Sequence, residues 1–107
     1  MIRIYGSPLC PDCRACKANF DRYGVEYEYF DVLANLANLK QFLIYRDGYP
    51  EVFDRLKAIH DIGLPACVDD ETGKVFTDWE TYHREKGLEP VALEGSAPAC
   101  SLSGKGC

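Results

Sequence analysis

The stretch GSPLCPDCRAC, residues 6–16, decides how this chain is interpreted, because it holds three cysteines at three-residue intervals. Before it, the short run IRIY is typical of a β-strand, and the turn residues Gly-Ser-Pro end that run. Pro11 suits the first position of a helix, where its missing N–H leaves no hydrogen bond unmade. Cys13, Cys16 and Phe20 then follow at helical spacing on one face. The sequence therefore predicts a strand, a tight turn and a helix that begins at Cys-Pro-Asp-Cys.

The composition limits the class of protein to which the chain belongs. A chain of 107 residues that is 47% hydrophobic and 27% charged is expected to form one soluble domain without needing disulfides or metal to fold. No apolar run is long enough to span a membrane, and the start MIRIYG lacks the apolar region of a signal peptide. We therefore expect a cytoplasmic, reducing setting, where clustered cysteines bind metal or catalyse redox chemistry. The net charge of −5 argues against nucleic acid or an anionic membrane as partner.

The rest of the chain continues the alternation of strands and helices. The predicted elements are a strand over 25–32, a helical region over 33–60 with a break at 47–50, a strand after the loop GLP (63–65), a strand over 74–78 and a helix that runs to Gly87. Thr77 and Glu80 have the spacing of a capping box, which predicts that Thr77 caps the last helix. We divide the chain into a domain over 1–87 and a tail over 88–107 that is rich in Gly, Ser, Ala and Pro.

The order β-α-β-α-β-β-α, with CPDC between the first strand and the first helix and a proline before the third strand, resembles the glutaredoxin branch of the thioredoxin fold. The resemblance covers residues 1–87. It implies an α/β domain with a four-stranded mixed sheet, here with an extended second helical region and a cysteine-containing C-terminal tail. It also implies that Cys10 is the nucleophile, that Cys13 is the resolving cysteine, and that Pro65 is a cis-proline facing both.

The same resemblance implies a thiol–disulfide oxidoreductase that acts on a disulfide in a protein or a small thiol. Glutathione or a thioredoxin-type reductase would then be the reductant, and no bound cofactor is expected. The substrate-binding residues that it implies are Pro11, Leu64, Pro65, Thr77 and Asp78. Family members usually carry a basic residue shortly before the first cysteine and a Gly-Gly-Asp run after the fourth strand, which help to hold glutathione. Here SPL (7–9) and VFTDWE (75–80) occupy these places, so the glutathione-binding pattern is incomplete.

The chemistry of the first two cysteines agrees with those roles. A cysteine just before the first turn of a helix lies near free backbone N–H groups and the positive end of the helix dipole, which favour the thiolate that attacks disulfides. Cys10 is in that position. The two-residue spacer lets Cys13 reach Cys10 and release a mixed disulfide. The negative charge of Asp12 should oppose thiolate formation, and Arg14 should partly compensate for it.

The other cysteines leave alternatives open. Cys16 and Cys67 are interpreted first as small buried core residues. The alternative is a module in which four thiolates bind a soft metal ion or an iron–sulfur cluster. The ligand set of that alternative is Cys10, Cys13, Cys16 and Cys67. His60 is a further candidate ligand, although solvated surface is the favoured interpretation of both His60 and His83.

Two further regions allow two interpretations each. In the long helical region, Tyr45, Tyr49 and Phe53 either complete the core, which we favour, or build a partner surface. In the tail, the flexible run SLSGKG separates Cys100 from Cys107. The hypothesis is that these two thiols form a second redox centre that exchanges electrons with Cys10 and Cys13. The alternative is a poorly ordered terminus whose cysteines have no role.

Overall fold

The structure is a computed structural model, and it describes residues 1–92. The elements in chain order are β1 (Ile2–Gly6), α1 (Pro11–Arg22), β2 (Tyr27–Asp31), α2 (Leu36–Gly48), α3 (Pro50–Ala58), β3 (Ala66–Asp69), β4 (Val75–Phe76) and α4 (Trp79–Glu85). The predicted order of strands and helices is confirmed, with the second helical region divided into α2 and α3. Cys100 and Cys107 lie outside the described residues. Within residues 1–92, no helix has both the length and the apolar character needed to cross a membrane.

The strands form one mixed sheet in the order β2-β1-β3-β4. β1 runs parallel to β2 and antiparallel to β3, and β3 pairs with β4 in a hairpin. Ile4 at the centre of β1 pairs with Tyr29 on β2 and with Cys67 on β3. This arrangement confirms the α/β, thioredoxin-like fold with a four-stranded mixed sheet.

The sheet separates two hydrophobic cores, because successive residues of a strand point to opposite faces. On one face Tyr5 and Val68 pack with Phe42 of α2 and Phe53 of α3. On the other face the core contains residues of β1, β3, α1 and α4, namely Ile2, Ile4, Cys67, Phe20 and Trp79. The first two cysteines belong to the former core, and Cys16 belongs to the latter. Helix α1 therefore contributes a thiol to each of the two cores.

The break in the second helical region falls at Tyr49 and Pro50, inside the predicted interval. Tyr49 ends α2, and Pro50 begins α3 at the position where proline is tolerated. Phe53 is fully buried, and the half-buried Tyr45 and Tyr49 pack against the same core. The interpretation that these three aromatic residues complete the core is thereby confirmed.

Two sequence-based expectations about α4 are wrong. The helix is capped by Asp78 instead of Thr77: the Asp78 carboxylate accepts hydrogen bonds from the backbone N–H of Thr81 at 3.1 Å and from its hydroxyl at 2.8 Å. A carboxylate that bonds two groups at once makes a better cap than the hydroxyl one residue earlier. His83, expected on the surface, is fully buried. Its Nδ1 hydrogen-bonds to the carbonyl of Trp79 at 3.0 Å, which satisfies one ring nitrogen in the core. His60 is exposed, as expected.

After α4 the chain turns back along α1. The hydroxyl of Tyr23 donates to the carbonyl of Glu89. Asn19 then holds Val91 by two hydrogen bonds, since its Nδ2 donates to the Val91 carbonyl at 2.8 Å and its Oδ1 accepts from the Val91 N–H at 2.7 Å. The first residues of the predicted tail are therefore bonded to the domain, and the domain boundary at Gly87 stays a prediction.

Candidate active site

Cys10 is the N-cap of α1, as the sequence predicts. Its backbone is extended, with φ −92° and ψ 119°, and its sulfur accepts a hydrogen bond from the backbone N–H of Cys13 at 3.4 Å. Pro11 follows as the first helical residue and is buried. The free N–H groups and the helix dipole both favour negative charge at this position. The Cys10 sulfur therefore lies where the fold stabilises a thiolate.

The surroundings of Cys13, in contrast, favour the protonated thiol. It is fully buried, and three effects raise the pKa of its thiol well above the usual range: a hydrogen bond with the Cys10 side chain, burial, and the negative charge of Cys10. The charge of Asp12 acts in the same direction, as the sequence predicts, while a hydrogen bond with the backbone of Ser7 opposes it. Cys13 consequently keeps its proton and donates a hydrogen bond to the sulfur of Cys10 when Cys10 is ionised.

Two residues that the sequence analysis missed surround Cys13. A Cβ atom on Gly6 would lie 3.0 Å from Cys13 Sγ and 2.7 Å from Tyr29 Oη, so only glycine leaves room for both atoms at the end of β1. Burial raises the pKa of Tyr29 above its usual range, and the charges of neighbouring groups, Cys13 first, raise it further. Tyr29 is thus a neutral hydroxyl beside the dithiol. The alternation in YEYFD hints at an inward Tyr29, but only the register of β2 against β1 brings it to Cys13.

Two polar contacts hold the segment around the cysteines. The indole Nε1 of Trp79 donates to the Asp12 carboxylate at 3.3 Å, which ties the CPDC segment to α4. The guanidinium of Arg14 donates to the carbonyl of Pro8 at 2.7 Å, which fixes the turn before Cys10. The expected compensation of the Asp12 charge by Arg14 stays a prediction.

The loop before β3 forms one wall of the site. The Leu64–Pro65 peptide bond is cis, which confirms the prediction, and both residues are buried. Leu64 and Cys10 line the same cavity, which has a volume of about 320 Å³. Its other lining residues are Ser7, Leu9, Val32, Leu33, Leu39, Phe42 and Ile62. The part of the chain that the structure describes therefore gives the cavity beside Cys10 an apolar wall without a charged side chain.

The predicted carboxylate-binding role of Thr77 and Asp78 stays a prediction. The contacts of α4 work against it, because the Asp78 carboxylate already bonds the N–H of Thr81 at the start of the helix. A substrate carboxylate would have to displace an anion that belongs to the protein itself.

Cys16 and Cys67 form a second thiol pair on the other face of the sheet. Both are fully buried, and their side chains hydrogen-bond with each other. Burial, followed by that hydrogen bond and the charge of Cys67, raises the pKa of Cys16 well above its usual range. The interpretation of Cys16 and Cys67 as buried core residues is confirmed.

The metal-binding alternative requires all four thiols to converge. All four described cysteines are present as thiols. Instead of converging, Cys10 and Cys13 contribute to one core, and Cys16 and Cys67 contribute to the other. Between residues 1 and 92, no three His, Cys, Asp or Glu side chains are arranged to hold a metal ion. The described residues therefore do not assemble the ligand set of that alternative.

Comparisons with known proteins agree with this geometry. The family model described as Glutaredoxin matches residues 2–56, which include β1, CPDC and most of α3. An uncharacterized protein of Haemophilus influenzae (strain ATCC 51907 / DSM 11121 / KW20 / Rd) is 40% identical over 65 residues, which are 61% of this chain and 74% of that protein. No solved structure matches the chain significantly. From the family match, the sheet order and the placement of CPDC at the start of α1, we conclude that the chain belongs to the glutaredoxin family.

Proposed function

We propose that the protein is a thiol–disulfide oxidoreductase that uses the Cys10–Cys13 dithiol to reduce or exchange disulfides in a protein or a small thiol substrate. The observation that carries the proposal is the pairing at the start of α1. The Cys10 sulfur caps the helix, and the side chain of the buried Cys13 hydrogen-bonds to it. This pairing gives the two thiols different roles: Cys10 attacks the substrate, and Cys13 stays protonated until it resolves the mixed disulfide.

In the first step the Cys10 thiolate attacks one sulfur of the substrate disulfide. A bond forms between Cys10 and that sulfur, and the other substrate sulfur leaves as a thiolate that takes up a proton. Cys13 then attacks Cys10 Sγ, which releases the substrate thiolate and leaves a Cys10–Cys13 disulfide. Two electrons pass from the dithiol to the substrate.

The contacts of Cys13 explain why the second step follows the first. A negative charge on Cys10 and a hydrogen bond to it are two of the three main causes that raise the pKa of Cys13. Both disappear once Cys10 is bonded to substrate, because its sulfur no longer carries charge. The pKa of Cys13 then falls, and its thiolate becomes available at the moment when it is needed. We expect the neighbouring hydroxyl of Tyr29 to donate a hydrogen bond to that thiolate.

Substrate is expected to bind along the backbone at Leu64 and beside Pro65, next to the apolar cavity. Cys10 is only 3% exposed, so the reacting disulfide has to enter this cavity. Among residues 1–92, the cavity wall offers no cation for the carboxylates of glutathione, which favours a disulfide flanked by apolar groups. In the expected cytoplasmic setting, glutathione or a thioredoxin-type reductase would return the oxidised dithiol to its reduced form.

The test compares the two cysteines with a matched buried thiol. We expect Cys10→Ser to abolish reduction of hydroxyethyl disulfide by dithiothreitol through the protein. We expect Cys13→Ser to accumulate a mixed disulfide on Cys10 that mass spectrometry detects. The control Cys16→Ala should keep the activity. The proposal is wrong if Cys10→Ser remains active or if the adduct forms on another cysteine.

A further inference from the structure

The segment after α4 is directed toward the dithiol. Its contacts with α1 come in order: Glu89 bonds to Tyr23 near the helix C-terminus, and Val91 bonds to Asn19 one turn closer to the N-terminus. Ala92 then lines a cavity of about 280 Å³ together with Ala15 and Asp12. The chain therefore runs antiparallel to α1, and its last described residue lines the same cavity as Asp12 of the CPDC segment.

The length of chain beyond that point is sufficient to reach Cys10. Cys100 follows Ala92 by eight residues. An extended chain of that length spans roughly 26–29 Å. The whole of α1, with 12 residues, is only about 18 Å long. Since Ala92 already shares a cavity with Asp12, Cys100 can cross the start of α1 with slack remaining. The two hydrogen bonds between Asn19 and Val91 hold the start of the segment, and a thiol tethered at so short a distance would have a high effective concentration at Cys10.

The apolar cavity beside Cys10 matches the sequence around Cys100. Three of its lining residues are large apolar side chains that are exposed to solvent: Leu9 at 74%, Leu33 at 63% and Ile62 at 45%. The tail sequence APACSL, residues 97–102, carries no charge. In an extended segment, Pro98, Cys100 and Leu102 would face the same side, because alternate side chains do so. On that side, Pro98 and Leu102 could pack against the apolar wall of the cavity while the Cys100 thiol lies next to Cys10.

We propose that residues 97–102 dock in the cavity beside Cys10, and that Cys100 and Cys107 form a dithiol that reduces the Cys10–Cys13 disulfide within the same chain. The proposal rests on the proposed function, because it uses the disulfide that turnover leaves on Cys10 and Cys13. It assigns the tail the role of an internal electron donor.

The electrons balance in two exchange steps. The Cys100 thiolate attacks Cys10 Sγ, the Cys10–Cys13 bond breaks, and Cys13 leaves as a thiolate that takes up a proton. Cys107 then attacks Cys100 Sγ, which breaks the Cys10–Cys100 bond and releases the Cys10 thiolate. Cys10 and Cys13 are reduced, and Cys100 and Cys107 are oxidised to a disulfide. An external thiol reductant would afterwards reduce the tail disulfide.

The experiment uses the full chain with Cys13→Ser and Cys107→Ser, so that neither competing thiol can resolve an intermediate. The reduced protein receives one equivalent of hydroxyethyl disulfide, and mass spectrometry maps the products over time. We expect a hydroxyethyl-thiol adduct on Cys10 that converts into a Cys10–Cys100 disulfide within one chain. An adduct that persists on Cys10, or a link between two chains, overturns the tail proposal and leaves the proposed function intact. Absence of any adduct on Cys10 overturns both.

Two exposed leucines provide a matched control for the docking site. Leu33 lines the cavity, and Leu36, which is 72% exposed, is not among its lining residues. We expect Leu33→Glu to slow formation of the Cys10–Cys100 link by about tenfold, because the apolar contact is replaced by a charge. Leu36→Glu should leave the rate unchanged. Equal rates in the two variants would contradict docking in this cavity.

A third measurement uses a substitution in the tail, so that the residues of the folded domain are unchanged. The reduced wild-type chain and Cys100→Ser each receive one equivalent of hydroxyethyl disulfide. We expect the wild type to share the resulting disulfide between Cys10–Cys13 and Cys100–Cys107, and Cys100→Ser to hold it on Cys10–Cys13 alone. If both proteins hold it only on Cys10–Cys13, the tail is not an electron donor.

Discussion

Two thiol pairs share helix α1, and their difference shows what makes a cysteine reactive in this protein. Cys13 and Cys16 lie one turn apart on the helix, and each hydrogen-bonds with a second cysteine. Cys13 hydrogen-bonds with Cys10 at the start of the helix, beside an open cavity. Cys16 hydrogen-bonds with Cys67 of β3 in the interior, within the second hydrophobic core. Cys10, Cys13 and Cys16 follow one another at the same three-residue interval, so position in the fold and not spacing along the chain decides their chemistry.

The pKa values of Cys13 and Cys16 are both raised, but the largest cause differs between the two thiols. For Cys13 the largest cause is the hydrogen bond with Cys10, which changes when Cys10 reacts. For Cys16 the largest cause is burial, which does not change while the protein is folded. The first pair can therefore switch during a reaction, and the second pair is held in one state.

The largest expected effect comes from Gly6→Ala. The added Cβ would meet Tyr29 Oη at 2.7 Å and Cys13 Sγ at 3.0 Å, so the dithiol has to move. We expect the free energy of unfolding to fall by about 2–3 kcal/mol, together with most of the disulfide-reductase activity. Denaturant unfolding and an activity assay measure both quantities. The control Gly48→Ala meets nothing within 4 Å and should be neutral or stabilising. A Gly6→Ala protein with wild-type activity would contradict the close packing around Cys13.

The second prediction separates stability from activity in the two pairs. Cys67→Ala removes a fully buried sulfur and leaves a small cavity, so we expect a loss of about 1–2 kcal/mol in the free energy of unfolding. The activity should stay within twofold of wild type. Cys13→Ala should abolish release of the mixed disulfide. If Cys67→Ala inactivates a protein that is still folded, the second pair takes part in the reaction.

Much of the fold and of the dithiol site could be predicted from the sequence. The CPDC segment and the hydrophobic periodicity predicted the element order and the Cys10 cap, and the resemblance to the glutaredoxin family implied the cis bond at Pro65. These features are local, or they belong to the family pattern. The proximity of the Tyr29 hydroxyl to Cys13 requires the register between two strands, and the burial of His83 depends on how α4 packs on α1. Asp78 and not Thr77 is the cap because the helix begins one residue later than the capping-box spacing predicted. Such outcomes depend on tertiary packing, which periodicity does not specify.

The third prediction concerns the pH dependence of stability. The pKa of Cys16 in the folded protein lies above the value of 9.0 that an exposed thiol has. Between these two pKa values the unfolded chain has lost a proton that the folded protein keeps. The stabilisation is therefore complete below pH 9 and falls as the pH rises further, by about 1.4 kcal/mol per pH unit for one such group. Denaturant unfolding of reduced protein at several pH values should show this decline. Cys16→Ala should show a shallower decline, and an identical slope would contradict the assignment.

The smallest expected effect is that of Tyr29→Phe. The substitution keeps the ring and removes the hydroxyl beside Cys13. We expect release of the mixed disulfide from Cys10 to slow severalfold, because the Cys13 thiolate loses a hydrogen-bond donor. Stopped-flow measurement of product release determines this rate. Tyr27→Phe is the matched control, since the Tyr27 hydroxyl bonds to Asp21 away from the dithiol. Equal rates for the two variants would exclude a role for the Tyr29 hydroxyl.

The most direct test is the rate at which each of the four cysteines in residues 1–92 of the native, reduced protein reacts with iodoacetamide at neutral pH. Peptide mapping by mass spectrometry gives the four rates of Cys10, Cys13, Cys16 and Cys67 in one experiment. We predict that Cys10 reacts first and that Cys16 and Cys67 react more than about a thousandfold more slowly, because they become accessible only when the fold opens. After unfolding, all of them should react alike. Equal rates for Cys10 and Cys67 in the native protein would contradict the claim that the fold makes one pair reactive and keeps the other inert.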